Sequence, residues 1–86
     1  MQKYVKLYMD FFGYGEDDFI PSEISGDRTA DIHHIRARSQ RMDLLNDITN
    51  LIALTRKEHD KYGDKKQYIE FLQETHNQFI EKHKQT

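Results

Sequence analysis

The sequence predicts an α+β domain, with two short strands at its centre and helices before and after them. Three observations carry that reading. Two apolar runs, one within Thr29–Ile35 and one at Leu51-Ile52-Ala53-Leu54, have strand length and are bounded by polar turn residues. Apolar side chains recur at helical spacing in residues 2–12 and again in 65–84. Directly after the second run, Thr55-Arg56-Lys57-Glu58 has the form of a capping box, which starts a helix.

The first helix is read over residues 2–12, where Tyr4, Val5, Tyr8, Phe11 and Phe12 form one stripe. Gly13 ends it, because glycine accepts the left-handed conformation that closes a helix. The aromatic stripe is expected to be core or dimer contact rather than a ligand platform. Residues 13–21 hold two Gly and one Pro and are read as a loop, pinned to the core by Phe19 and Ile20. Residues 22–27, Ser-Glu-Ile-Ser-Gly-Asp, are read as a tight turn leading into the first strand. The polar segment from Arg36 to Thr49 is expected to hold a helical turn around Ser39–Leu45, with Ser39 as N-cap and Leu44, Leu45 and Ile48 turned inward. After the second strand a helix starts at Thr55, carries His59 on its second turn and stops at Gly63. The last helix covers 65–84, with Tyr68, Ile69, Leu72, Phe79 and Ile80 on its buried side. His76 falls on the same face and is expected to be half-buried; His83 is expected at the surface.

The 86 residues make a single domain, 1–86, whose core is thin for its surface. Domains of this size usually gain stability from a disulfide, a metal or a partner, and with no Cys the first is excluded. The absence of Cys agrees with a reducing, cytoplasmic setting. Nothing predicts a signal peptide or a membrane span. The net charge of −2 argues against a protein that coats nucleic acid indiscriminately. The average hides a local excess: from Arg28 to Arg41 there are four Arg, two His and one acid, Asp31. Such a patch binds phosphate even on an acidic chain.

The chemistry-bearing residues are Asp31-Ile32-His33-His34-Ile35, then Asn50, then His59. Together with Ser22-Glu23-Ile24-Ser25-Gly26 and Asn50-Leu51-Ile52-Ala53-Leu54-Thr55-Arg56-Lys57-Glu58-His59, this pattern resembles the HNH endonucleases. Many of those read Cys-x-x-Cys-Gly, then x-His-His-Ile, then Asn-Leu-Ile-x-Leu-Cys-x-x-Cys-His. The likeness runs from about residue 21 to 63, the stretch the family folds as a ββα-metal (His-Me finger) core, leaving helices 2–12 and 65–84 as flanks. The departure is the loss of all four zinc cysteines, whose positions hold Ser22, Ser25, Thr55 and Glu58. Without thiolates no structural zinc is expected. The capping box is expected to hold the helix start instead, and Ser22, Ser25 and Gly26 to close the turn.

The resemblance implies a role for each matching residue. His33 would bind a catalytic metal, His34 would be the general base that takes a proton from water, and His59 would be the second ligand. Asn50 would pin the loop and hold His34. One divalent ion is implied, Mg²⁺ or Mn²⁺, with Zn²⁺ or Ni²⁺ also suited to two imidazoles. Asp31, on the same strand face as His33, either orients a histidine or pairs with Arg28 at the surface. Arg36, Arg38 and Arg41, with Arg56 and Lys57 at the helix start, are candidates for the DNA backbone, against the ordinary alternative of solvated surface cations. The function implied is metal-dependent hydrolysis of DNA phosphodiester bonds. One site per chain nicks, and a homodimer would be needed for a concerted double-strand cut. Small proteins of this kind are typical of phages and mobile elements, by analogy only. The alternatives are an inactive HNH-like module that binds nucleic acid or protein, and a helical domain whose end helices drive assembly.

Overall fold

A computed structural model describes residues 1–85. Helix α1 spans Lys3–Phe12 and buries Tyr8, Met9 and Phe12. Gly13 closes it in the left-handed region, at φ 76°, and the amide of Tyr14 returns to the Met9 carbonyl at 2.8 Å. Strands β1 (Asp31–His34) and β2 (Leu51–Leu54) form one antiparallel pair, with Asp31 opposite Leu54 and His34 opposite Leu51. Helix α2 spans Arg56–Tyr62. Helix α3 spans Ile69–Lys84, entered through a 3-10 turn at Lys66–Tyr68.

The core follows from the alternation of β2. All four of its side chains are fully buried, because both faces of this short sheet are covered. Leu51 and Ala53 face α1 and pack with Tyr8, Phe12 and Ile32. Ile52 and Leu54 face the other way and pack with Ile35 and Leu72 of α3. The same alternation divides the two histidines of β1. His33 lies opposite Ile52 and His34 opposite Leu51, so they serve different faces.

A buried polar tie joins the layers. The Tyr8 hydroxyl donates to Glu23 Oε2 at 2.6 Å, and the Ala53 amide reaches the same oxygen. His76 of α3 meets Glu23 Oε1 through Nδ1 at 2.7 Å and the Ile48 carbonyl through Nε2 at 2.6 Å. His76 is therefore fully enclosed rather than half-buried, because its acid partner lies far away in the chain at Glu23.

Three other expectations shift. The first strand is shorter than Thr29–Ile35, and at its start the Thr29 hydroxyl turns back onto the Asp31 and Leu54 carbonyls. The loop turn lies at Met42–Leu44, with Arg41 rather than Ser39 at its cap position. Phe19 is half exposed beneath the Arg28 guanidinium, so Ile20 pins that loop to the core without it. Among the described residues no helix is long and apolar enough to cross a membrane.

Candidate metal centre

The helix that carries His59 is held by a hydrogen-bonded cluster. The Thr55 hydroxyl accepts from the Glu58 amide at 3.1 Å, and Glu58 Oε1 accepts from the Thr55 amide at 2.8 Å, so the capping box is complete. The Ser22 hydroxyl donates to the same Glu58 oxygen at 2.5 Å and accepts from the Ile24 and Ser25 amides. Gly26, at φ 82°, makes the turn that brings these serines round. Burial alone would raise the Glu58 carboxyl. The hydrogen bonds from Ser22, Ser25 and Thr55 outweigh it and hold that carboxyl below the usual range. Ser22, Ser25, Thr55 and Glu58 thus meet at one point, bonded to each other.

On the far side of the α2 start, His33, His59 and Asp64 converge. One donor atom from each lies within 4.8 Å of the others. The His33 and His59 rings stand edge to face with centroids 4.8 Å apart. Gly63 makes the approach feasible: a Cβ there would fall 2.6 Å from the His59 carbonyl and 3.3 Å from His33 Cε1. Asp64 follows at φ 56°, a left-handed conformation that Asp tolerates better than most residues. Gly63 itself stays in the extended region, so the chain reverses at Asp64.

His33 Nε2 is buried and has no hydrogen-bond partner. Burial pushes its imidazole down to about 4, with His59 and His34 adding to the shift and Asp64 and Asp31 opposing it. The ring is therefore neutral at pH 7, with a lone pair available. Together the three side chains could hold a metal ion. Around one ion with bonds of roughly 2.0–2.2 Å, tetrahedral donors lie about 3.3–3.6 Å apart, so donors spread over as much as 4.8 Å must draw closer to share it. Asp64 is exposed, with its Oδ2 4.0 Å from His59 Nε2.

His34 takes its tautomer from the loop. Its Nε2 sits 2.9 Å from the Leu45 carbonyl, which only accepts, so Nε2 carries a proton and in the neutral ring the lone pair is on Nδ1. Tyr4 of α1 stands edge-on to the ring, with centroids 4.4 Å apart. Asn50 is buried and touches backbone only. Its Oδ1 accepts from the Arg36 amide at 2.8 Å, and its Nδ2 donates to the Arg36 and Leu44 carbonyls at 3.1 and 3.3 Å. It thereby holds the loop at Arg36 and at Leu44, beside the Leu45 carbonyl that His34 meets. His33, His34, His59 and Asp64 line one open cavity of about 620 Å³, with Tyr4 and Arg38 on its wall.

The remaining candidates separate. Asp31 pairs with Arg56 at 2.7 Å; it bonds neither a histidine nor Arg28. Arg41 is closed onto Asp43 by two hydrogen bonds of 3.0 and 2.8 Å. Arg38 lines the histidine cavity, Arg36 lines a neighbouring one, and Lys57 is exposed on α2. No protein-family model, curated protein or solved structure matches this chain. The residue missed from sequence is Asp64. Its signal was the Gly63-Asp64 pair just after the His59 helix, a glycine that admits close approach followed by a residue that accepts positive φ.

Proposed function

We propose that this protein is a metal-dependent endonuclease of the HNH kind, with a ββα-metal core, acting on DNA phosphodiester bonds. The observation that carries the reading is the buried, unpartnered Nε2 of His33 beside His59 and Asp64, in the cavity that also holds His34. A buried nitrogen without a partner costs about 1–3 kcal/mol, a cost that a bound metal removes. His33, His59 and Asp64 would hold the ion, which when bound supplies positive charge to the scissile phosphate and the leaving oxygen. Two imidazoles and one carboxylate suit Mn²⁺, Zn²⁺ or Ni²⁺ at least as well as Mg²⁺.

His34 is the general base. Its Nε2–H is tied to Leu45, so Nδ1 takes the proton from an attacking water. Asn50 keeps that tautomer by holding the Leu44 and Arg36 backbone. Arg38, on the cavity wall, offers charge to the phosphate.

The test is nicking of supercoiled plasmid with Mg²⁺ or Mn²⁺ by the wild type and His34→Ala. A loss of roughly 10²–10⁴ in rate is expected for the variant. If neither protein cuts, or both cut equally, the reading fails. The acidic net charge favours a second reading, an inactive module that binds nucleic acid or protein, and binding without cleavage under every divalent ion would support it.

A further inference from the structure

A second cavity, of about 250 Å³, adjoins the histidine cavity. The two share Ala37 and Asp64 as their partition. Arg36, Lys65 and Lys66 line the second one, against the single acid Asp64. On a chain of net charge −2, three cations around one small cavity are a concentrated positive field.

These cations differ in how far they are already committed. Lys65 Nζ donates to the Asp60 and Lys61 carbonyls at the end of α2 and braces the turn that carries Asp64. The side chains of Arg36 and Lys66 make no hydrogen bond or ion pair among the described residues. Both are exposed, yet the backbone beneath Arg36 is rigid, because Asn50 holds its amide and its carbonyl together. The guanidinium therefore emerges from a fixed point on the rim.

We infer that this second cavity is a phosphate subsite. Arg36 and Lys66 take a phosphate of the same nucleic-acid strand, next to the one at the metal. The inference rests on the metallonuclease reading for its first phosphate, and it assigns Lys66 a role outside the histidine motif. A guanidinium and an ammonium lining one small cavity match the charge and donor pattern of a phosphodiester.

The experiment measures binding of a labelled single-stranded oligodeoxynucleotide across a salt series without divalent ions. In parallel, NMR follows titration with inorganic phosphate. Arg36→Gln and Lys66→Gln should each weaken oligonucleotide binding several-fold and lower the salt slope by about 0.7. Lys82→Gln, about 24 Å further along α3, should leave both unchanged. Unchanged slopes in the first two variants, no oligonucleotide binding, or an equal loss in Lys82→Gln would overturn the subsite. Phosphate shifts at residues 36 and 66 with unchanged oligonucleotide slopes would also overturn it, by pointing to a free small anion. Because binding is read without cleavage, altered slopes in a protein that never cuts would sink the nuclease reading alone. Cleavage with unchanged slopes would sink the subsite alone.

Discussion

His76 and His33 are both buried imidazoles, and their surroundings treat them in opposite ways. His76 has an acceptor at each ring nitrogen, Glu23 on one side and the Ile48 carbonyl on the other. His33 has a buried Nε2 that faces no partner. The first is scaffold: it ties α3 to the turn at Glu23, which in turn holds Tyr8 of α1 and Ala53 of β2. The second lies against His59 and Asp64 on a cavity wall. The difference separates a polar group that completes the fold from one the fold leaves incomplete. Incompleteness is the better pointer to a ligand, since buried polar groups are otherwise almost always paired.

The sharpest way to break that comparison is to remove one partner at each place. Glu23→Leu strands the His76 ring in the core, and a loss of about 3–5 kcal/mol in urea denaturation is expected. The double variant Glu23→Leu/His76→Leu should recover part of that loss, since it removes both polar groups at once. If Glu23→Leu costs less than about 1 kcal/mol, the tie is not what joins the layers.

The metal comes next in size. A divalent ion at 100 times its dissociation constant should stabilise the wild type by about 2.7 kcal/mol. His33→Leu should abolish that gain while leaving the metal-free protein no less stable than before, because it removes an unpaired buried nitrogen. Asp64→Asn should weaken the gain without changing the metal-free stability. A wild type whose melting is indifferent to Mn²⁺, Zn²⁺ and Mg²⁺ would end the metal-site proposal.

The same contrast explains what was legible in the sequence. His33, His34, Asn50 and His59 could be singled out because they stand in short local runs, while the roles given to them come from the HNH resemblance alone. The capping box was readable because a box is a four-residue device. The Glu23–His76 pair was not, since its partners are joined only once α3 has folded back over the sheet. The Asp31–Arg56 pair was missed for the same reason: it forms across the end of the β1–β2 ladder. Asp64 was missed because its place depends on a backbone reversal that no periodicity reports.

Acid should expose the His33 side of the comparison. Its imidazole is lowered to about 4 in the folded protein against an ordinary 6.5 when unfolded. The unfolded chain thus binds the extra proton first, so stability falls as pH drops from about 6.5 to about 4 and levels off below. Glu58 is lowered too, but its contribution is lost only as pH falls through the ordinary carboxylate range and below it. The two overlap only at the acid end of the first window, and His33→Leu should flatten its upper part. Retention of the full upper slope in that variant would assign it to another group.

The smallest expected effect tests whether the scaffold and the open site are independent. Thr55→Ala removes the hydroxyl that accepts from the Glu58 amide and should cost about 1 kcal/mol. The helix start keeps its second anchor, the Ser22 hydroxyl on Glu58. His59 sits one turn further on, with its amide bonded to the Thr55 carbonyl, which the substitution preserves. Metal affinity, read by calorimetry, should therefore change much less than stability. If the affinity falls tenfold or more, the cap sets the position of His59 directly, and the cluster of Ser22, Ser25, Thr55 and Glu58 belongs to the site as well as to the fold.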